Sequence, residues 1–202
     1  MSEEWDVVIV GAGPAGSSAA LAVLQEQPNA RVLLLDRATF PRDKSCGDGL
    51  APQVIDVLDS LGVGAIVDGW TPLRELELSR GSRTVRGLMA RPVYVIPREV
   101  FDTRLVERAV SAGAHLAHHR VRDARVDGAS VVIDEQFRTR ALISADGAHS
   151  VIRASLAPTQ GRRAIAARQP VARTPPARCP GTAGTPSNPT ATSCMPAMRP
   201  GW

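Results

Sequence analysis

Six residues near the start, Gly11-Ala12-Gly13-Pro14-Ala15-Gly16, set three glycines at the spacing G-x-G-x-x-G. Each glycine answers a separate physical demand. Gly11 permits a sharp turn off a preceding strand, Gly13 lacks the Cβ that would block a pyrophosphate, and Gly16 lets helix and strand pack closely. A helix opening at Pro14, where the missing N–H costs nothing, aims unpaired N–H groups and about half a positive charge at the phosphates. Asp36 follows 20 residues beyond Gly16; a carboxylate there suits a pair of ribose hydroxyls and disfavours the 2′-phosphate of NADP. The chemistry indicated is dinucleotide binding. This unit alone does not separate NAD from FAD.

The elements that would position these residues follow from hydrophobic spacing. Asp6–Val10 is a short apolar run ending in glycine, the pattern of a strand buried on both faces. Small and apolar residues from Pro14 to Gln25 predict a tightly packed helix, and Arg31–Leu35 a second buried strand. Strand, helix and strand within about 30 residues have the dimensions of a βαβ unit, whose crossover is right-handed. Ala38–Gly49 reads as a loop, and Ala51–Leu61 as a helix stopped by Gly62. Residues 73–96 alternate like strands, with Arg80–Arg83 as a hairpin turn. Helical spacing returns over Phe101–Val110. Three strands are expected near 115–126, 129–134 and 137–145, with Asp127-Gly128 as a tight turn. His118 and His119 read as strand or edge residues with no partner that suggests a metal or a base, and no metal site is expected.

Composition excludes several classes. Apolar residues make up 44% of the 202 residues and charged residues 22%, an ordinary globular balance. Runs such as Val7–Val10 and Val32–Leu35 fall far short of the roughly 20 residues that span a bilayer. The net charge of +4 divides unevenly: the first 146 residues carry −3, and the rest, without a single acid, carries +7. The basic balance therefore belongs to the tail, and no specific nucleic-acid partner is expected. Residues 157–202 hold nine of the 16 prolines and no periodic apolar pattern, which predicts disorder. Three cysteines without metal-ligand spacing, and an acidic N-terminus unlike an export signal, predict a cytoplasmic chain with reduced thiols.

Two further segments and one arginine carry a resemblance. The stretch Asp36-Arg37-Ala38-Thr39-Phe40-Pro41-Arg42-Asp43-Lys44-Ser45-Cys46-Gly47-Asp48-Gly49-Leu50 resembles the P-x-x-K-x-C-G-(D/G)-G segment of the geranylgeranyl reductase family. That family is a branch of the flavoprotein superfamily that includes the aromatic hydroxylases of the p-hydroxybenzoate type. Leu142-Ile143-Ser144-Ala145-Asp146-Gly147-Ala148-His149-Ser150-Val151-Ile152-Arg153 resembles the second fingerprint of the superfamily, and Arg98 stands where these proteins carry an arginine before a helix near the flavin. The resemblance covers residues 5 to about 155. It implies an α/β fold: a Rossmann-like FAD-binding domain over 1–156 with a parallel sheet, a β-meander and, at 73–96, part of an antiparallel substrate sheet.

By the same resemblance the cofactor is FAD. Gly11, Gly13, Pro14, Ala15, Gly16, Asp36 and Arg37 would hold its ADP half. Lys44, in the next segment, would also bind the cofactor, and Cys46 and Gly47 of that segment would approach the isoalloxazine ring as the catalytic pair. Arg98 would support the flavin side of the pyrophosphate, and Asp146 and Gly147 would lie near the cofactor chain. The family reaction delivers hydride from reduced flavin to a C=C bond of a polyprenyl chain, with NAD(P)H as an electron donor and an isoprenoid lipid or quinone tail as substrate. A composition of 23 Arg against one Lys suits a GC-rich bacterium, where a menaquinone tail is the natural first substrate. Work at the inner face of a membrane is implied for the parent enzyme. Family members are longer, and their Gly-Asp-Ala-like third motif has no counterpart after residue 155. The expectation is a C-terminal truncation, reached through a shifted reading frame, that weakens FAD affinity and turnover. An aromatic monooxygenase and an inactive fragment retaining the ADP half-site are the alternatives.

Overall fold

In the computed structural model, which describes residues 2–156, the two apolar runs near the N-terminus become neighbouring parallel strands. They are β1 (Glu3–Val10) and β2 (Val32–Asp36), joined by helix α1 (Pro14–Glu26). Alternation sorts their side chains. Ile9, Val32 and Leu34 point to one face of the sheet, and Val8, Val10, Leu33 and Leu35 to the other. Both sets are buried, as a parallel sheet covered on two sides requires.

Helices cover the first face. Ala20, Leu21 and Leu24 of α1 pack there with Leu58 of α2 (Pro52–Ser60) and with Phe101, Leu105, Val106 and Ala109 of α3 (Arg98–Ser111). The small residues of α1 permit its close approach, and buried Ser17 satisfies its hydroxyl by donating to the Ala12 carbonyl at 3.1 Å. A 3₁₀ turn, Gly64–Val67, adds Ile66 and Val67 to this core.

The remaining strands are β3 (Gly49–Leu50), β4 (Leu73–Arg80), β5 (Arg83–Val95), β6 (His115–His118), β7 (Ala124–Asp127), β8 (Ser130–Ile133) and β9 (Phe137–Ser144). The main sheet has the order β6-β2-β1-β9-β8-β7; its first four strands are parallel, and β9-β8-β7 is an antiparallel meander. Val121, Ala124, Ile133 and Phe137, with Ile152 of helix α4 (Val151–Leu156), cover the second face. The fold is α/β with a parallel-rich sheet, a meander and a separate antiparallel sheet of order β3-β5-β4.

Three expectations are corrected. The strand expected over 115–126 is two: β6 joins β2 in parallel, whereas β7 belongs to the meander. Asp134 enforces the break, because its carboxylate accepts the N–H groups of Arg122 and Asp123 that a continuous strand would give to a neighbour. The meander turn lies one residue later than expected: Asp127 pairs with Ser130, and Gly128, at φ +62°, opens the loop. Strand β5 runs unbroken through Pro92, which sits where the pairing jumps from Leu73–Val93 to Glu75–Leu88, an irregularity that needs no N–H. The helix expected over Phe101–Val110 also begins earlier, at Arg98. The expectation for 157–202 lies outside the described residues.

Among the described residues, both strands of the β4–β5 ribbon are largely exposed. Leu78 pairs with Val85 and Leu76 with Gly87 on one of its faces. Leu76, Leu78 and Val85 are 45–69% exposed. No helix among the described residues is long and apolar enough to cross a membrane.

Candidate functional site: a groove at the strand ends

Four parallel strands end at one edge of the sheet, and each hands over to a loop there. The loops are Gly11–Gly13 after β1, Arg37–Ala38 after β2, His119–Arg120 after β6 and Ala145–Gly147 after β9. Ligands of open α/β sheets bind in this crevice outside the carboxyl ends of the strands. Here it consists of two adjoining hollows of about 270 Å³ each, which share Gly11, Asp36, Arg37 and Asp146.

The three glycines are needed for different reasons. A Cβ on Gly11, at φ +101°, would fall 2.3 Å from the Ala145 carbonyl oxygen, and one on Gly16 would fall 1.7 Å from the Gly11 carbonyl oxygen. Both positions are closed by the protein's own backbone. A Cβ on Gly13 would meet only Nη2 of Arg42, at 3.4 Å. Nothing inside the protein demands a glycine there, so the open space in front of Gly13, at the start of α1 and under a guanidinium, is a cradle that fits a diphosphate.

Asp36 closes the opposite wall. Its Oδ2 accepts the Ala12 N–H at 2.8 Å and its Oδ1 accepts the Ala38 N–H at 2.9 Å, which ties the glycine loop to the end of β2. Asp36 lines both hollows, and its carboxylate has acceptor capacity left for ribose hydroxyls. The turn behind it is braced from β6: the His119 N–H donates to the Asp36 carbonyl at 2.8 Å, and the His118 ring, as the Nε2–H tautomer, donates to the Arg37 carbonyl at 2.9 Å. His118 ends the edge strand β6, and His119, just beyond it, pairs with Asp134 at 2.7 Å. Asp134 is held below the ordinary carboxylate range: burial raises it, but His119 and the backbone N–H groups of Asp123 and Arg122 outweigh that.

Asp146 lines both hollows while serving the fold. Its Oδ1 accepts from the Ser144 hydroxyl at 2.7 Å, and its Oδ2 accepts the Val151 N–H at 2.6 Å, at the start of α4. Burial pushes this carboxyl up and the hydrogen bonds, led by Ser144, pull it below its ordinary value. Gly147 has φ +87°, and Nζ of Lys44 lies 3.7 Å from where its Cβ would be.

The Cys46–Gly47 segment stands apart from the two hollows. Cys46 is exposed, and a Cβ on Gly47 would meet nothing within 4 Å. The thiol is held below its ordinary range first by the Asp48 N–H and then by the guanidinium of Arg98. Arg98 opens α3 and makes a two-pronged bond to Asp102, Nε to Oδ1 at 2.7 Å and Nη2 to Oδ2 at 2.8 Å. That pairing, chiefly, raises the Arg98 pKa further. Asp102 also lies 3.4 Å from Nη2 of Arg42, the residue over Gly13.

The sequence-derived residues therefore fall into two groups. Gly11, Gly13, Asp36, Arg37, Lys44 and Asp146 line one hollow, with Pro14, Ala15 and Gly16 forming the first turn of α1 beside it. Arg98, Cys46 and Gly47 form a second group, joined to the first through Asp102 and Arg42. Sequence reading missed Arg42, Asp102 and the His119, Arg120 and His149 lining of the second hollow. The one available signal was the i, i+4 spacing of Arg98 and Asp102. Among the described residues, no group of three or more His, Cys, Asp or Glu side chains is placed to hold a metal.

Comparison with known proteins agrees with this geometry. The chain is 35% identical over 162 residues to the menaquinone reductase of Mycobacterium tuberculosis, a match covering 74% of this chain and 39% of that protein. It is 38% identical over 166 residues to digeranylgeranylglycerophospholipid reductase 1 of Methanopyrus kandleri, covering 74% of this chain and 41% of that protein. The chain thus spans about two fifths of the length of these curated relatives. Among solved structures, p-nitrophenol 4-monooxygenase of Pseudomonas putida superposes with a TM-score of 0.68 at 18% identity, over 78% of this chain and 44% of that one, a likeness of fold. The FAD binding domain family matches residues 4–175, and the chain belongs to that family.

Proposed function

We propose that this chain is the FAD-binding part of an oxidoreductase of the geranylgeranyl reductase type, which reduces a C=C bond of a polyprenyl chain in an isoprenoid lipid or a menaquinone tail. The observation that carries the reading is the cradle at Gly13, a glycine that only a ligand requires, with Arg42 over it and Asp36 across the same groove. The relatives named as menaquinone and digeranylgeranylglycerophospholipid reductases support the substrate class.

When bound, FAD would supply the hydride. The residues of the chain bind and orient it. Arg42 and the first turn of α1 would hold the diphosphate with positive charge, and the Asp36 carboxylate would accept from the ribose. The exposed Cys46–Gly47 segment offers a flat ring an approach free of Cβ atoms at Gly47. Arg98 and the Asp48 N–H make the Cys46 thiol more acidic, so that Sγ can give a proton to the second carbon of the alkene. NAD(P)H as donor and a place at the inner face of the cytoplasmic membrane belong to the same reading.

The test is the visible spectrum of the purified chain after incubation with FAD and removal of the excess, followed by anaerobic incubation of the reduced protein with menaquinone or geranylgeranyl diphosphate. Retained flavin bands, lost in Gly13→Val, and a mass gain of two hydrogens on the prenyl chain are expected. Bound flavin that consumes oxygen and hydroxylates a phenol would replace the reductase by a monooxygenase. A chain that binds ADP but no flavin would reduce the site to its nucleotide half.

A further inference from the structure

The two groups of site residues meet at one side chain that neither the groove nor the thiol exposes. Asp102 sits on the buried side of α3 beside Phe101 and Leu105, with a side chain that is 0% exposed. A carboxylate that deep is costly unless it is paired. It has two partners: the fork of Arg98 at 2.7 and 2.8 Å, and Nη2 of Arg42 at 3.4 Å. Arg42 is itself 4.0 Å from the Asp36 carboxylate and stacks over Phe40, so it is pinned from three sides. The fork of Arg98 leaves its Nη1 free of Asp102, and the positive charge of the same guanidinium helps to hold the Cys46 thiol below its ordinary range.

We propose that Asp102 is a positioning residue that serves both ends of the site, holding Arg42 over Gly13 to meet a diphosphate and Arg98 against the Cys46 sulfur. The diphosphate arm rests on the FAD reading, whereas the thiol arm does not. Residue types support the division. Arginine offers a rigid fork, so one buried carboxylate can fix the plane of a guanidinium and leave its outer N–H groups for a second partner. The burial of Asp102 denies water the chance to compete for either arginine.

Positioning and bare charge predict opposite signs, which makes the idea testable. If Asp102 acted only through its negative charge, removing that charge would lower the Cys46 pKa and tighten the binding of an anion. If it positions the arginines, removing it lets both swing away, so the thiol pKa rises and anion affinity falls. The experiment uses the full chain with Cys179→Ser and Cys194→Ser, leaving Cys46 as its sole thiol. Iodoacetamide alkylation against pH gives the thiol pKa, and calorimetry gives the affinities for ADP and adenosine. In Asp102→Asn the Cys46 pKa is expected to rise by about one unit and ADP to bind about tenfold more weakly, with adenosine unchanged. A fall in the thiol pKa with tighter ADP binding, or no change in either, overturns the proposal. Arg98→Gln and Arg42→Gln separate the arms and serve if Asp102→Asn does not fold. Arg98→Gln should raise the thiol pKa only, Arg42→Gln should weaken ADP only, and the absence of both effects also overturns it. An unsubstituted chain that binds neither ADP nor FAD refutes the cofactor reading, and the thiol titration then decides the Arg98 arm alone.

Discussion

Gly13→Ala and Gly16→Ala, two one-carbon changes three residues apart, should have opposite consequences. At Gly16 the new Cβ would lie 1.7 Å from the Gly11 carbonyl oxygen and 2.9 Å from its carbon. Relief to an ordinary contact requires backbone to move by more than about 1 Å in a loop packed against β9, and overpacking of that kind costs roughly 1–3 kcal/mol or more. At about 2–4 °C per kcal/mol for a chain of this size, Gly16→Ala should lower Tm by on the order of 5–10 °C. At Gly13 the backbone has φ −70° and ψ −174°, open to any residue, and the nearest atom, Nη2 of Arg42, would lie 3.4 Å from the new Cβ, an ordinary contact. Losing glycine at a helix N-cap costs about 0.5–1 kcal/mol. The smaller unfolded-state entropy of alanine returns about 0.4–1 kcal/mol. Tm should therefore stay within about 3 °C. Binding should separate the variants the other way. A methyl group in the cradle displaces the diphosphate from charge-assisted hydrogen bonds worth about 1.5–3 kcal/mol each, which lowers the affinity for ADP or FAD by about 10- to 100-fold. Thermal denaturation by circular dichroism and titration with ADP decide the matter. If Gly13→Ala melts as early as Gly16→Ala, or binds ADP as well as the parent, the cradle is an ordinary turn and the reasoning fails.

Asp36→Asn should weaken both the loop and the ligand site, because an amide has one acceptor for the two N–H groups of Ala12 and Ala38; a loss of about 1–3 kcal/mol in urea unfolding and weaker ADP binding are expected. Stability should fall in acid. Asp134 and Asp146 have folded pKa values below the ordinary 3.8, so their contribution is complete above that value and is lost as pH falls through the folded values. Urea midpoints measured from pH 6 to pH 2 test this, and Asp134→Asn should flatten the slope below pH 4. Leu78→Ser with Val85→Ser should reduce binding of a hydrophobic dye without lowering Tm, since both side chains are more than 60% exposed; a drop in Tm would mean that the ribbon is covered in solution.

The sequence made the strand–helix–strand unit legible because each of its demands is local. The continuous apolar runs Val7–Val10 and Val32–Leu35, a proline at the start of α1 and an acid at the end of β2 all lie within 36 residues. The error at 115–126 arose where one apolar run serves two sheet neighbours. No pattern in Leu116, Val121 or Val126 announces that β6 pairs with β2 while β7 pairs with β8, since the switch depends on Asp134, a residue of the later turn that captures two N–H groups. Pro92 would have argued against a continuous β5. It is tolerated because the register jump falls opposite it, and register is a property of two strands together.

The same distinction divides the site. Gly11 and Gly16 were readable because backbone atoms fill the space where a Cβ would go, and a single residue type meets that condition. Arg42 and Asp102 were not readable, because what matters is that a loop and a helix 60 residues apart bring their side chains within 3.4 Å. An arginine in a polar loop and an aspartate near a helix start are each consistent with an ordinary solvated surface. Only the burial of Asp102 removes that reading, and burial is set by how α3 packs against α1 and the 3₁₀ turn. The backbone-coded part of the groove fixes where a phosphate can sit, whereas the side-chain-coded part fixes which charges meet it and how acidic Cys46 becomes. Two chains with the same glycine loop could therefore bind the same nucleotide and differ in chemistry. The residues to compare between them are Arg42, Arg98 and Asp102 rather than the glycines.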